Sequence, residues 1–256
     1  MMMDKLLEQV IGIAQQAGDA IMEVYHSDEH GVETKEDDSP LTIADKAAND
    51  IIVRELEKIS KLPIISEENE QREGADTFWL VDPLDGTKEF IKKNGEFTVN
   101  IGLIHNKKPI LGVVYAPDKG VTYVGSEAGA FKYEAGQETK ITAHHDEAMP
   151  TIVASRSHRD ERVDALLENI GEHKIVSMGS SFKLCLVADG TAMLYPRLAP
   201  TYLWDTAAAD AVVRAAGGRV QNLAGEDLTY DPAKDMKNPF FVVSTKNCID
   251  WQRYLG

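Results

Sequence analysis

Cysteine is scarce in this chain: Cys185 and Cys248 are the two among 256 residues, and neither has a CxxC partner. A disulfide framework is therefore not implied, and a reducing, cytoplasmic setting is expected. Long apolar runs are missing too. None approaches the ~20 residues needed to span a bilayer, and Met1-Met2-Met3-Asp4-Lys5 lacks the basic-then-apolar pattern of a signal peptide. Stable membrane insertion is not expected; peripheral association with the inner membrane stays open, although the acidic charge makes anionic lipids poor partners. Basic residues number 27 against 42 acidic ones, a formal net charge of -15. That excludes a general nucleic-acid binder, which needs a basic footprint. A phosphorylated small molecule is not excluded, because divalent cations invert the local sign of an acidic pocket. Neither GxxxxGK[ST] nor GxGxxG occurs, so the Walker and dinucleotide readings lack support.

With 43% hydrophobic and 27% charged residues, the composition is that of a globular protein. The length allows one large domain or two closely packed ones. Leu6, Val10, Ile13, Ala17, Ile21 and Val24 recur at helical steps and predict an amphipathic helix over residues 4–26. After a polar stretch at 27–40, a second helix buries Ala48, Ile52, Leu56 and Ile59. Short strands are expected at 63–66 and 78–81, the latter ending at Asp82. Strand-like runs at 98–104, 110–115 and 121–124 are separated by Asn106-Lys107-Lys108-Pro109 and Pro117-Asp118-Lys119-Gly120, which predicts an antiparallel meander. Beyond Pro150 the rhythm alternates: strand 151–155, helix 159–170, strand 174–177, helix 180–188, strand 192–195, helix 204–216 stopped at Gly217-Gly218, strand 240–244. A boundary is expected within residues 139–150, dividing the chain into halves 1–145 and 146–256.

Chemistry concentrates in Asp82-Pro83-Leu84-Asp85-Gly86-Thr87. An apolar strand delivers two carboxylates three residues apart. Pro83 fixes its own φ and removes a donor, while Gly86 permits close backbone approach. Converging carboxylates suit a hard cation such as Mg²⁺. Exposed N–H groups where Thr87 and Lys88 open a helix suit a phosphate. Asp-Pro and Asp-Gly are also ordinary turn dipeptides, and Asp205 after Trp204 is also an ordinary helix cap. On spacing alone, a turn and a metal site both remain open.

Four segments together carry more. Leu41-Thr42-Ile43-Ala44-Asp45, Ile65-Ser66-Glu67-Glu68, Trp79-Leu80-Val81-Asp82-Pro83-Leu84-Asp85-Gly86-Thr87 and Trp204-Asp205-Thr206-Ala207-Ala208 resemble, in order and distance, the inositol monophosphatase superfamily of metal-dependent phosphatases. Gly86-Thr87-Lys88-Glu89-Phe90, Ser177-Met178-Gly179-Ser180-Ser181-Phe182-Lys183-Leu184-Cys185 and Leu194-Tyr195-Pro196-Arg197 resemble its 3′(2′),5′-bisphosphate nucleotidase branch, in its bacterial form. The resemblance implies an α/β (α+β) layered sandwich, αβαβα, of the inositol monophosphatase and fructose-1,6-bisphosphatase type. The first half would be α+β with an antiparallel sheet and most metal ligands, the second α/β.

What it implies about residues follows position by position. Glu67, Asp82, Asp85 and Asp205 match side-chain metal ligands, and Leu84 a backbone-carbonyl ligand, for two or three Mg²⁺ ions that activate a water and clamp the displaced oxygens. Asp45 and Thr87 match the pair that positions and deprotonates that water, with Glu68 orienting ligands or a water beside them. Gly86, Thr87, Lys88, Ser180, Ser181, Lys183 and Asp205 match substrate contacts, Lys183 towards the phosphate that is not cleaved. Arg197 is a weaker candidate, since a lone Arg is usually a surface salt bridge. The implied substrate is adenosine 3′,5′-bisphosphate, hydrolysed to AMP and phosphate in sulfur assimilation by a monomer or homodimer. An inositol or sugar monophosphatase is the alternative enzyme, and a non-catalytic metal-binding regulator the alternative class. His144-His145-Asp146-Glu147 is read as a solvated connecting loop, Ser155-Arg156-Ser157-His158 shows no nucleophile elbow, and Trp79 and Trp204 are read as core.

Overall fold

Alternate side chains of the central strands feed two separate cores. In β4 (Thr77–Asp85), Trp79 and Val81 point to one side and Phe78 and Leu80 to the other, the period of two that a strand imposes. The structure is a computed structural model describing residues 2–27, 31, 33–34, 40–69, 75–154 and 161–255.

The first of the two cores lies under two helices, α1 (Met2–His26) and α2 (Ile43–Ile59), which are joined through a small ribbon of β1 (Glu33–Thr34) and β2 (Pro40–Leu41). Val10, Ile13, Ala17 and Ile21 of α1 and Ala48, Ile52 and Leu56 of α2 are fully or almost fully buried there. They recur at the three- and four-residue steps that make one helical face. Thr42 caps α2, its side chain accepting the Ala44 N–H.

The sheet beneath has seven strands in chain order: β3 (Ile64–Ser66), β4, then, after α3 (Thr87–Ile91), β5 (Thr98–His105), β6 (Lys108–Ala116), β7 (Val121–Ser126), β8 (Gly129–Glu134) and β9 (Gln137–Ile141). β3 runs parallel to β4 and every later pair is antiparallel. A five-stranded sheet follows from β10 (Thr151–Ala154), β11 (Lys174–Ser177), β12 (Leu194–Arg197), β13 (Arg219–Asn222) and β14 (Phe241–Ser244), ordered β11-β10-β12-β14-β13. Between the sheets lie α5 (Phe182–Ala188) and α6 (Trp204–Ala215), and α4 (Glu161–Ile170) covers the outer face of the second sheet through Val163 and Leu167. The layers are thus αβαβα.

Small residues let α6 lie close against the first sheet. Gly102, Gly112 and Gly125 stand opposite one another on β5, β6 and β7. A Cβ at Gly125 would come within 2.5 Å of Val212 Cα, and one at Gly112 would strike the Ala208 carbonyl. Within α6, the buried Asp210 accepts from Arg214 at 2.7 and 2.9 Å and from the Tyr230 hydroxyl at 2.9 Å.

Several boundaries differ from the sequence reading. β4 continues through the motif to Asp85 instead of stopping at Asp82, because pairing with β5 resumes at Thr98. The helix expected from 180 starts at Phe182, since Ser180 has φ 49°. β9 extends into the expected connecting region as far as Ile141. The His144 to Glu147 segment is not simply solvated: His145 is buried, its ring nitrogens 2.9 and 3.3 Å from the carbonyl oxygens of Gly190 and Met149. Trp79 and Trp204 are core residues as expected. Among the described residues, no helix is long and apolar enough to cross a membrane.

The glycine stripe gives a paired prediction. Gly112→Val should lower unfolding stability by about 1–3 kcal/mol through overpacking against α6. Gly12→Ala, in α1 with open space around it, should raise it by roughly 0.5–1 kcal/mol through helix propensity. Urea unfolding of the two variants beside the parent protein measures both signs.

Candidate active site

Asp82 pairs with Asn100 across the β4–β5 ladder, and Asp85 with Thr98. Three steps on β4 thus match two on β5, the signature of a bulge holding one extra residue. In a regular strand, residues three apart point to opposite faces. The bulge brings Asp82 and Asp85 to the face that carries Asn100 and Thr98. Asp82 is buried, and its Oδ1 accepts the Leu84 N–H at 3.1 Å. Gly86 then turns the chain at φ 93°, where an added Cβ would sit 3.0 Å from the Glu96 carbonyl. Only glycine meets both demands.

That turn aims Thr87 at Asp45. The Thr87 hydroxyl lies 3.2 Å from Asp45 Oδ1 and 3.3 Å from the Leu84 carbonyl. Asp45 Oδ2 accepts the Thr42 N–H at 2.7 Å and its hydroxyl at 2.6 Å, completing the capping box of α2. One carboxylate oxygen therefore fixes the helix terminus while the other meets Thr87, 42 residues away in sequence. Glu67 follows Ser66, which faces Val81 on β4, and the Glu67 N–H donates to the Val81 carbonyl at 3.1 Å. It leaves the sheet beside Asp82. The Glu68 N–H lies 3.4 Å from Ser66 Oγ.

Asp205 arrives from the other sheet's side, in the first turn of α6, its Oδ2 accepting the Tyr202 N–H at 2.8 Å. Asp85 accepts the Ser181 N–H. Both carboxyls are raised above the ordinary aspartate range. For Asp205 the causes are burial first, then the Asp85 and Glu67 carboxylates. For Asp85 burial again leads, opposed by the Lys183 charge and the Ser181 N–H.

Asp85 and Asp205 line a cavity of about 300 Å³ together with Gly86, Lys88, Ser180, Ser181 and Lys183. Lys183 is almost completely buried, its ammonium 5.7 Å from the centre of the Tyr195 ring. Asp45, Glu67, Glu68, Asp82, Leu84 and Thr87 are not among the lining residues. Arg197, weighed in the sequence as a surface residue, lines the cavity instead. Its guanidinium donates to the Pro200 carbonyl at 3.2 Å, and its Nε is buried with no hydrogen-bond partner among the described residues. Ser181 was expected to touch substrate, but its hydroxyl is taken up by Asn100 and Thr98 at 2.7 and 2.9 Å. The sequence reading missed that pair. Its signal was a polar Asn inside the apolar run 98–104. Residues 155–158 lie outside the described residues.

The profile of the Inositol monophosphatase family matches residues 2–247. The chain belongs to that family. Among the inositol monophosphatase relatives, a protein named 3′(2′),5′-bisphosphate nucleotidase CysQ from Escherichia coli K12 is 49% identical over 93% of this chain and 99% of its own length. The protein of that name from Haemophilus influenzae is 34% identical over 97% and 96%. The crystal structure of CysQ from Bacteroides thetaiotaomicron superposes with a TM-score of 0.84 at 39% identity, covering 95% of this chain and 98% of that one.

The donor set fits a hard divalent cation. It is all oxygen, and Asp205 feels the carboxylates of both Asp85 and Glu67. Among the described residues, no three His, Cys, Asp or Glu side chains form a finished ligand cluster; the acids that meet most closely in their electrostatics are Asp85 and Asp205. Removing one of these charges should separate function from stability. Asp205→Asn keeps an acceptor for the Tyr202 N–H, so thermal unfolding with chelator present at pH 7 should show a melting temperature equal to or above the parent's, while phosphatase activity falls by at least about 100-fold. A destabilised variant would mean that Asp205 serves the fold rather than the site.

Proposed function

We propose that this protein is a Mg²⁺-dependent 3′(2′),5′-bisphosphate nucleotidase that converts adenosine 3′,5′-bisphosphate to AMP and phosphate, a step of sulfur assimilation. The observation that carries the reading is the mixed charge of one cavity. Acids Asp85 and Asp205 stand with cations Lys183 and Arg197 in one space of about 300 Å³. A substrate with two phosphates can use both kinds of group, one phosphate on metal held by the acids and the other on the cations. An inositol monophosphate brings one phosphate, so once the acids are occupied by metal the cations that act on Asp85 would lack a second anion.

Two or three Mg²⁺ ions, held by Glu67, Asp82, Asp85, Asp205 and the Leu84 carbonyl, would supply Lewis-acid stabilisation of the phosphoryl oxygens and a more acidic water. Asp45 is the proton acceptor, reached through the Thr87 hydroxyl that already points at it. Glu68 sits one step further out, where it orients the Glu67 side of the site. Lys88, exposed at the mouth, and the Gly86 to Lys88 backbone meet the phosphate to be cleaved. Lys183 holds the other phosphate as a point charge, and Arg197 offers its planar fork beside it. In this reading residues 1–145 supply most of the acids, and residues 146–256 complete the site with Asp205, Ser180, Ser181 and Lys183. The protein acts as a monomer or homodimer in the cytoplasm.

The direct test is phosphate release with Mg²⁺, comparing adenosine 3′,5′-bisphosphate with inositol 1-phosphate at equal concentration. The nucleotide should be preferred by at least about 100-fold in kcat/KM, the equivalent of roughly 2.7 kcal/mol of transition-state binding. Preference for inositol phosphate would overturn the specificity and keep the phosphatase. Release from neither would favour a non-catalytic regulator.

A further inference from the structure

We infer that Asn100 is a positioning residue for the reaction, acting through Ser181 on Asp85. The inference rests on the phosphatase reading above.

Asn100 sits in the middle of β5, 1% exposed, in a strand whose neighbours Val99 and Ile101 are fully buried. A buried amide is costly unless it is bonded; its Nδ2 has no hydrogen-bond partner among the described residues, so the bond made by Oδ1 is the one that reports its role. Asn100 Oδ1 accepts the Ser181 hydroxyl at 2.7 Å, and Thr98 Oγ1 lies 2.9 Å from the same Ser181 oxygen. Ser181 has one hydroxyl proton and gives it to Asn100, so Thr98 is the donor of the second bond. The hydroxyl proton is then committed to Asn100 and is not offered to substrate. What Ser181 presents to the site is its backbone N–H, and that is donated to Asp85.

The clamp holds a turn that would not keep this shape alone. Ser180 is a non-glycine residue at φ 49°, the left-handed region that disfavours a side chain. Gly179, just before it, packs so tightly that an added Cβ would sit 2.7 Å from the Glu96 carbonyl. Residues 179–181 are therefore docked on the entry to β5, and Asn100 with Thr98 is the polar lock. Asn100 also stands directly across the ladder from Asp82. One residue thus borders the first acid of the motif and, through Ser181, sets the second. Because Ser181 precedes α5 in the second half of the chain, the lock also ties that half to the strand beside the acids.

The test uses the full chain and the variants Asn100→Val, Ser181→Ala and their double, with Thr98→Val as a second way of cutting the lock should Asn100→Val fold poorly. Mn²⁺ binding is read by electron paramagnetic resonance without nucleotide, and the Mg²⁺ activation constant and nucleotide KM are read by turnover. Each single variant should weaken Mn²⁺ binding and raise the Mg²⁺ activation constant about 10-fold, the usual size for residues that orient metal ligands. Nucleotide KM should stay within about twofold, and the double variant should be no worse than the more affected single one, because both cut one path. Unchanged Mn²⁺ affinity in the single variants would overturn the inference, as would effects that multiply in the double. If the parent protein itself releases no phosphate with Mg²⁺, the phosphatase reading fails; if the parent is active and only the variants disagree, that reading stands and the role of Asn100 falls.

Discussion

The extra residue that β4 carries between Asp82 and Asp85 sets the geometry on which the acid site depends. A strand alternates its faces strictly, so two acids three residues apart would be split between the helix-covered core and the inter-sheet space. One would then be a lone carboxylate buried under α1 and α2, a position too costly to keep ionised. The bulge corrects the parity locally. Upstream, Trp79 and Val81 stay in the α1–α2 core with normal alternation. Downstream, Gly86 reverses the chain into α3 and puts Thr87 against Asp45. Pro83 fits this account in a plain way: it lies inside the bulge, where a missing N–H costs the ladder nothing.

The second constraint is mutual repulsion. Asp205 must stand close to Asp85, although the Asp85 carboxylate raises its proton affinity. Nothing local to the turn at 201–205 overcomes that. The compensation is in packing, where α6 lies on the stripe of Gly102, Gly112 and Gly125 closely enough that its backbone replaces side chains. Downstream, Asp210, Arg214 and Tyr230 fix the helix with bonds of 2.7 to 2.9 Å. Further along the same segment, Asn238 donates to the Tyr202 carbonyl at 2.6 Å and to Thr201 and Thr206 at 3.1 Å, which steadies the turn that delivers Asp205. Strain at the acids is thus balanced by hydrogen-bonded and close-packed contacts a few residues away, the usual arrangement when a site sacrifices stability for chemistry.

Much of this was legible in the sequence, for reasons that differ by element. α1 and α2 were visible because a buried helical face repeats every three to four residues. The meander was visible because Gly, Pro and Asn punctuate it. The αβαβα order came from resemblance, since periodicity carries no information on which face of which sheet a helix covers. The bulge was not legible: Pro83-Leu84 reads equally as a turn, and register is a property of two strands. Ser180 at positive φ was hidden for a similar reason, because nothing in Gly179-Ser180-Ser181 states that docking on β5 will delay the helix until Phe182. Arg197 was undervalued because a single Arg after a short strand has no periodic partner, and only the antiparallel pairing of β12 with β14 shows that this strand ends inside the cleft. His145 was misjudged because a histidine in a polar run looks solvated until the carbonyls of Gly190 and Met149 are found around it.

A protein of net charge -15 that receives a doubly phosphorylated nucleotide has an apparent problem of sign. The cavity answers it by lining one space with both signs, Lys183 and Arg197 acting on Asp85. Lys183 is held almost out of water above Tyr195, with Arg197 beside it, so their charges are screened less than those of surface lysines. The acids opposite are positioned for cations that come with the reaction. In the reading proposed above, metal held by the acids would draw Asp85 away from Lys183 and Arg197, which act on it in the free protein, and the second phosphate of a bisphosphate would take that carboxylate's place beside the two cations. A monophosphate would leave that exchange incomplete, so discrimination between the two substrates would rest on what replaces Asp85 there.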